Sequence, residues 1–117
     1  MRLLSTVLVS VLCLSGTATH AATFTVTNTA PSGSGSLRDA IEAANAAAGA
    51  DTIAFAIPGA GPHRIRPSGT IGFVTDAVTI DGYTQPGAAP NTLAEGSNAV
   101  IMIEIDGVGI SSNAHLR

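Results

Sequence analysis

The sequence predicts an all-β fold, in which a short α-helix covers the first coils of a parallel β-solenoid. Three observations support this prediction. A secretory leader precedes a small chain, an alanine-striped helix follows a single strand, and an apolar pattern recurs at equal intervals, starting at positions 51, 76 and 101. These features divide the chain into a leader at 1–21, a cap at 22–50 with its helix at 36–48, and incomplete coils at 51–117.

The segment 1–21 has the three parts of a secretory signal. Arg2 gives a positive start, residues 3–14 form an apolar core too short to span a bilayer, and small residues precede the Ala21–Ala22 bond. We therefore expect cleavage between Ala21 and Ala22 and a secreted or extracytoplasmic location, in the periplasm, on the outer surface or in the medium. Lipid attachment at Cys13 is disfavoured, because Leu12 is not the small residue that this processing needs.

The part after the leader is small, acidic and free of cysteine. Loss of Arg2 changes the formal net charge from −3 to −4, which argues against binding nucleic acid or an anionic membrane surface. Cys13 leaves with the leader, so no disulfide can form. Few aromatic side chains are present to stack against sugars or bases. They are Phe24, Phe55, Phe73 and Tyr83.

The cap is predicted from alternation followed by helical spacing. Residues 23–28 alternate apolar and threonine side chains, as a half-buried strand does, and a glycine- and serine-rich loop follows. Ser36 can cap the N-terminus of a helix, and the Asp39 carboxylate can accept the reciprocal hydrogen bond of a capping box. Gly49 ends the pattern. The apolar stripe of this helix consists of Leu37, Ala40, Ile41, Ala44 and Ala48.

The solenoid is predicted from three copies of a short apolar alternation. Their equal spacing aligns Ile53 with Val78 and Ile103, and then Phe55 with Ile80 and Ile105. The last two copies also share Ile-Asp-Gly. A period in this range is typical of stacked repeats, with Ile65 and residues 70–73 as further strands and residues 83–99 as a loop. Three alternations can also share a spacing by chance in a β-rich chain.

Three segments carry a resemblance to a known family. The runs Gly-Ser-Leu-Arg-Asp-Ala-Ile at 35–41, Gly-Ala-Asp-Thr-Ile-Ala-Phe at 49–55 and Thr-Asp-Ala-Val-Thr-Ile-Asp-Gly at 75–82 resemble exported bacterial right-handed parallel β-helix proteins. Their N-terminal cap carries a Cys-Ser-Leu-Arg-Glu-Ala motif, and Gly35 and Asp39 stand where it has Cys and Glu. The resemblance implies a pectin lyase-like fold with further coils, so that this chain would be truncated at Arg117.

Candidate chemistry is limited to a few polar groups. Four acids, Asp76, Asp81, Glu104 and Asp106, could line one side of a stack as a cation site, although Asp-Gly steps are typical of turns. His63 beside Arg64 and Arg66 could be a general base or a charged strand edge. Ser111, Ser112 and His115 lack the surroundings of a hydrolase nucleophile. We therefore assign no catalytic or metal-binding residue and no cofactor, and the binding residues stay unidentified.

These observations favour a secreted or cell-envelope β-helix scaffold, adhesin-like and without catalysis in this segment. Its partners would be extracellular carbohydrate or surface proteins, with no nucleic acid and no membrane insertion. The alternative is the N-terminal fragment of a polysaccharide-active enzyme, a pectate-lyase-like lyase or a glycoside hydrolase with its active site on later coils. A fragment without independent function is a third possibility. The sequence does not fix the oligomeric state.

Overall fold

The computed structural model describes residues 20–69 and 71–107. Within these ranges the chain forms one α-helix and five short strands, and a single 3₁₀ turn at Gly82–Thr84 follows the fourth strand. The strands form two small parallel sheets, ordered β1-β2-β4 and β3-β5. In chain order the elements are β1 (Thr23–Val26), α1 (Leu37–Ala46), β2 (Asp51–Phe55), β3 (His63–Ile65), β4 (Val78–Ile80) and β5 (Ile103–Ile105).

The predicted β-helix is wrong. The equal spacing of the three copies would pair Ile53 with Val78, but β2 pairs with β4 so that Ile53 lies opposite Ile80. The third copy does not follow the second at all: Ile103 lies in the other sheet, opposite His63 of β3. The repeated pattern is therefore a recurrence of strand-forming sequence and not a repeated coil, and the described residues form two small sheets without a solenoid.

The helix begins where its capping residue predicts. Ser36 is buried, and its hydroxyl accepts a hydrogen bond from the backbone N–H of Asp39 at 3.2 Å. The Asp39 carboxylate reaches one residue further back than in a standard capping box and accepts from the Gly35 N–H at 3.1 Å. Gly35 has a φ of +75° and lies against the Thr27 side chain, so only glycine fits this entry to the helix.

One apolar core joins the helix to strands of both sheets. Leu37, Ile41 and the small side chains of Ala40 and Ala44 face β1 and β2. The short alanine side chains let the helix axis lie close to the sheet. The buried apolar side chains are Val26, Leu37, Ala40, Ile41, Ala44, Ile53, Phe55, Ile57 and Ile65.

β4 pairs with β2 only as far as Ile53. Further along, the side chains of Thr84 and Gln85 take the place of a strand and form hydrogen bonds with the backbone. The Thr84 hydroxyl accepts from the Phe55 N–H at 2.8 Å. The buried Gln85 amide pairs with Ile57 at 2.8 Å in both directions, accepting from its N–H and donating to its carbonyl. Asn91 and Asn98 form hydrogen bonds within the loop that follows.

Candidate functional site

Two rows of apolar side chains run from the core to the outer strands. Ile53 is fully buried, yet its partner Ile80, on the same face of the next strand, is 43% exposed. Ile65 is buried in the same way, and its partner Ile105 is 44% exposed. Each row therefore ends at an isoleucine that no described strand covers.

Within the described residues, these outer strands also have unpaired edges. β4 is the last strand of its sheet, and β5 has a neighbour only on the β3 side within the described residues. An edge of this kind presents unsatisfied backbone N–H and C=O groups in a row. We call the outer edges of β4 and β5, together with the exposed side chains of Ile80, Tyr83, Ile101 and Ile105, the β4–β5 edge.

The two halves of the β4–β5 edge meet at a cavity of about 250 Å³. Its walls come from residues 80–83 on one side and from residues 101–103 on the other. A Cβ atom at Gly82 would lie 3.8 Å from the Ile103 Cβ, so the two halves approach one another closely at this point. The edge therefore combines apolar surface, a recess and unpaired backbone in one place.

Charged side chains on β3 and β5 form a row on the exposed face of the second sheet. Arg64 pairs with Glu104, its register partner, at 3.0 Å, and Arg66 pairs with Asp106 at 3.0 Å. These residues stand out in the sequence, but their pairing with one another was not predicted. The signal was present, because His-Arg-Ile-Arg at 63–66 and Ile-Glu-Ile-Asp at 103–106 are complementary when aligned in parallel.

The four acids considered for a cation site have other roles. Asp76 and Asp81 accept hydrogen bonds from nearby backbone N–H groups of Ala77 and Tyr83, as turn residues do. Glu104 and Asp106 are the ion-pair partners of Arg64 and Arg66. The four acids do not line one side of a stack, because Asp81 and Asp106 follow strands of different sheets. Over residues 20–69 and 71–107, no three His, Cys, Asp or Glu side chains converge as metal ligands would.

Of the other residues considered for catalysis, only His63 lies within the described part of the chain. The Nε2 atom of His63 is buried and has no hydrogen-bond partner in the described part of the chain, while its backbone N–H donates to the Met102 carbonyl. Ser111, Ser112 and His115 lie outside the described residues, as do residues 1–19 of the leader. Of the predicted cleavage site, Ala21 is exposed and Ala22 is half-buried directly before β1.

Comparison of the chain with protein-family models, curated proteins and solved structures found no match. No helix in the described ranges is long and apolar enough to cross a membrane.

Proposed function

We propose that this chain is an exported surface or cell-envelope protein that acts by binding, and that the β4–β5 edge receives a strand of a protein partner. The observation that carries the proposal is the coincidence of two exposed apolar row ends with two unpaired strand edges. A polypeptide strand supplies both things that this edge lacks, namely backbone hydrogen bonds and alternate apolar side chains.

Charge favours a partner strand with basic side chains. Glu104 is the central residue of β5, and its side chain is 52% exposed beside Arg64. A strand added next to β5 would place a side chain on the other flank of Glu104. Opposite charges at such positions stabilise the pair, and like charges destabilise it.

The same residue disfavours a second copy of this chain as the partner. If two β5 strands paired about a two-fold axis, each of these short strands would place its central Glu104 opposite the Glu104 of the other copy. Two like charges directly opposite one another destabilise such a pair. A different protein with an apolar and basic strand fits the edge better.

Carbohydrate fits the edge less well than a polypeptide. Tyr83 is the one aromatic side chain among the residues that line the cavity. Stacking against sugar rings depends on such aromatic surfaces, whereas unpaired strand edges have no counterpart in a saccharide.

The test uses two short synthetic peptides, one alternating valine with lysine and one alternating valine with glutamate. We expect the lysine peptide to bind the exported chain several-fold more tightly in fluorescence anisotropy. Glu104→Lys should reverse this preference, and Ile80→Thr should weaken binding of both peptides because it removes exposed apolar surface.

Matched controls separate the edge from general charge and hydrophobicity. Glu95→Lys makes the same charge change, and Leu93→Thr removes a similarly exposed apolar side chain, both in the loop before β5. These two variants should bind like the unchanged protein. Absence of peptide binding, or a preference that Glu104→Lys leaves unaltered, would contradict the proposal.

A further inference from the structure

A buried carboxylate lies next to the predicted processing site. Asp51, the first residue of β2, is only 1% exposed. Its Oδ1 atom accepts a hydrogen bond from the backbone N–H of Ala22 at 2.8 Å. Its Oδ2 atom is buried and has no hydrogen-bond partner within the described residues.

This arrangement leaves the buried carboxyl group incompletely hydrogen-bonded. A buried charge is costly unless an opposite charge and hydrogen bonds surround it. Within the described residues, the Asp51 side chain accepts from a neutral amide with a single hydrogen, which serves one of its two oxygens. A cationic group with several hydrogens at the position of the Ala22 nitrogen would serve the site better.

Cleavage of the Ala21–Ala22 bond creates such a group in that position. Water adds across the peptide bond, Ala21 leaves with the new carboxylate, and the nitrogen of Ala22 becomes an α-amino group. At neutral pH this amine is mostly protonated, so it carries a positive charge and three hydrogens.

The mature N-terminus would stay in place after cleavage. The Ala22 carbonyl accepts a hydrogen bond from the Thr52 N–H at 2.8 Å, and the next residue, Thr23, already pairs with Thr52 in the sheet. Ala22 is therefore held beside Asp51 from its C-terminal side, and removal of residues 1–21 does not break these contacts.

We propose that Asp51 is the binding site for the new α-ammonium group of Ala22. Processing then stabilises the folded chain by replacing a neutral hydrogen bond with a buried ion pair. The unprocessed chain lacks this pair and folds less stably, which suits a precursor that must cross a membrane unfolded. This inference depends on cleavage after Ala21 and is independent of binding at the β4–β5 edge.

The sequence allows a clean test, because the chain contains no lysine. The α-amino group is then the one primary amine of the processed chain, and acetic anhydride followed by hydroxylamine leaves an acetyl group there alone. The chain is expressed with its own leader, recovered after export, and divided into free and acetylated samples. Mass spectrometry should show Ala22 as the first residue, and a different first residue would overturn the proposal.

Acetylation should lower the Tm of the exported chain by about 5 °C or more, a shift that a lost stabilising interaction gives in a domain of this size. Asp51→Asn should abolish the difference between the free and acetylated samples. Glu42→Gln, which removes a charge at an exposed position of α1, should leave that difference intact. Equal Tm values for the free and acetylated unchanged chain would overturn the proposal, and this comparison needs no variant to fold.

Discussion

Gln85 shows how much one buried polar side chain can contribute. Its amide forms two hydrogen bonds with the Ile57 backbone and is fully enclosed. Methionine has nearly the same shape but can neither donate to the Ile57 carbonyl nor accept well from its N–H. We expect Gln85→Met to lower the free energy of unfolding by about 2 kcal/mol, because it leaves buried backbone groups unpaired. Urea unfolding measured by circular dichroism checks this value.

The matched control for Gln85→Met introduces the same residue at an exposed site. Glu42→Met on α1 should change the free energy of unfolding by less than about 0.5 kcal/mol. Equal effects of the two substitutions would mean that the Gln85 hydrogen bonds contribute nothing to stability.

Neither Gln85 nor Asp51 could be recognised as buried from the sequence. Gln85 precedes Pro-Gly and reads as part of a loop, and Asp51 lies just after the glycine that ends the helical pattern. Their burial depends on which distant backbone they meet, Ile57 in one case and Ala22 in the other. Local patterns carry no information about such contacts.

At the scale of elements, the cap of α1 gives a direct prediction. The Ser36 hydroxyl satisfies the Asp39 N–H at the start of the helix, where no backbone carbonyl is in reach. Ser36→Ala should therefore lower the free energy of unfolding by about 1 kcal/mol. Thermal unfolding followed at the helical circular dichroism band measures this loss.

Ser34→Ala is the control for the cap, since Ser34 is exposed in the preceding loop. It should leave the Tm within about 2 °C of the unchanged chain. If Ser36→Ala has an equally small effect, the hydroxyl does not stabilise the helix.

Strand register shows where sequence reasoning at this scale fails. Alternation identified the apolar face of the second and third copies, but a shift by two positions keeps every side chain on the same face. The pattern therefore cannot distinguish Ile53 opposite Val78 from Ile53 opposite Ile80, the pairing that occurs. The backbone between the strands decides the register, and its length alone suggested a coil that does not form.

At the scale of the whole molecule, the prediction that β5 would pair with β4 was wrong. The segment 81–102 carries the chain from one sheet to the other, so β5 meets β3 instead of β4. The apolar periodicity of β5 is compatible with pairing to β3 and with pairing to β4. The complementary charges of Arg64 and Glu104 distinguish them, because only the pairing with β3 places opposite charges in register.

The shared core predicts that both sheets and the helix unfold together. Phe55 is 1% exposed and belongs to the same cluster as Leu37 of α1 and Ile65 of β3. Phe55→Ala should lower the free energy of unfolding by about 3–5 kcal/mol, a large part of the about 5–15 kcal/mol typical of a folded domain. Phe73→Ala is the control, because Phe73 is 82% exposed and its loss should have little effect.

Two signals report on different parts of the fold. Circular dichroism follows α1, and the fluorescence of Tyr83, the single tyrosine in a chain without tryptophan, follows the segment after β4. A single cooperative unit gives the same urea midpoint by both signals, and Phe55→Ala should move both midpoints equally. If the tyrosine transition moved while the helix transition stayed in place, the segment after β4 would unfold separately from α1, and the single cooperative unit would be refuted.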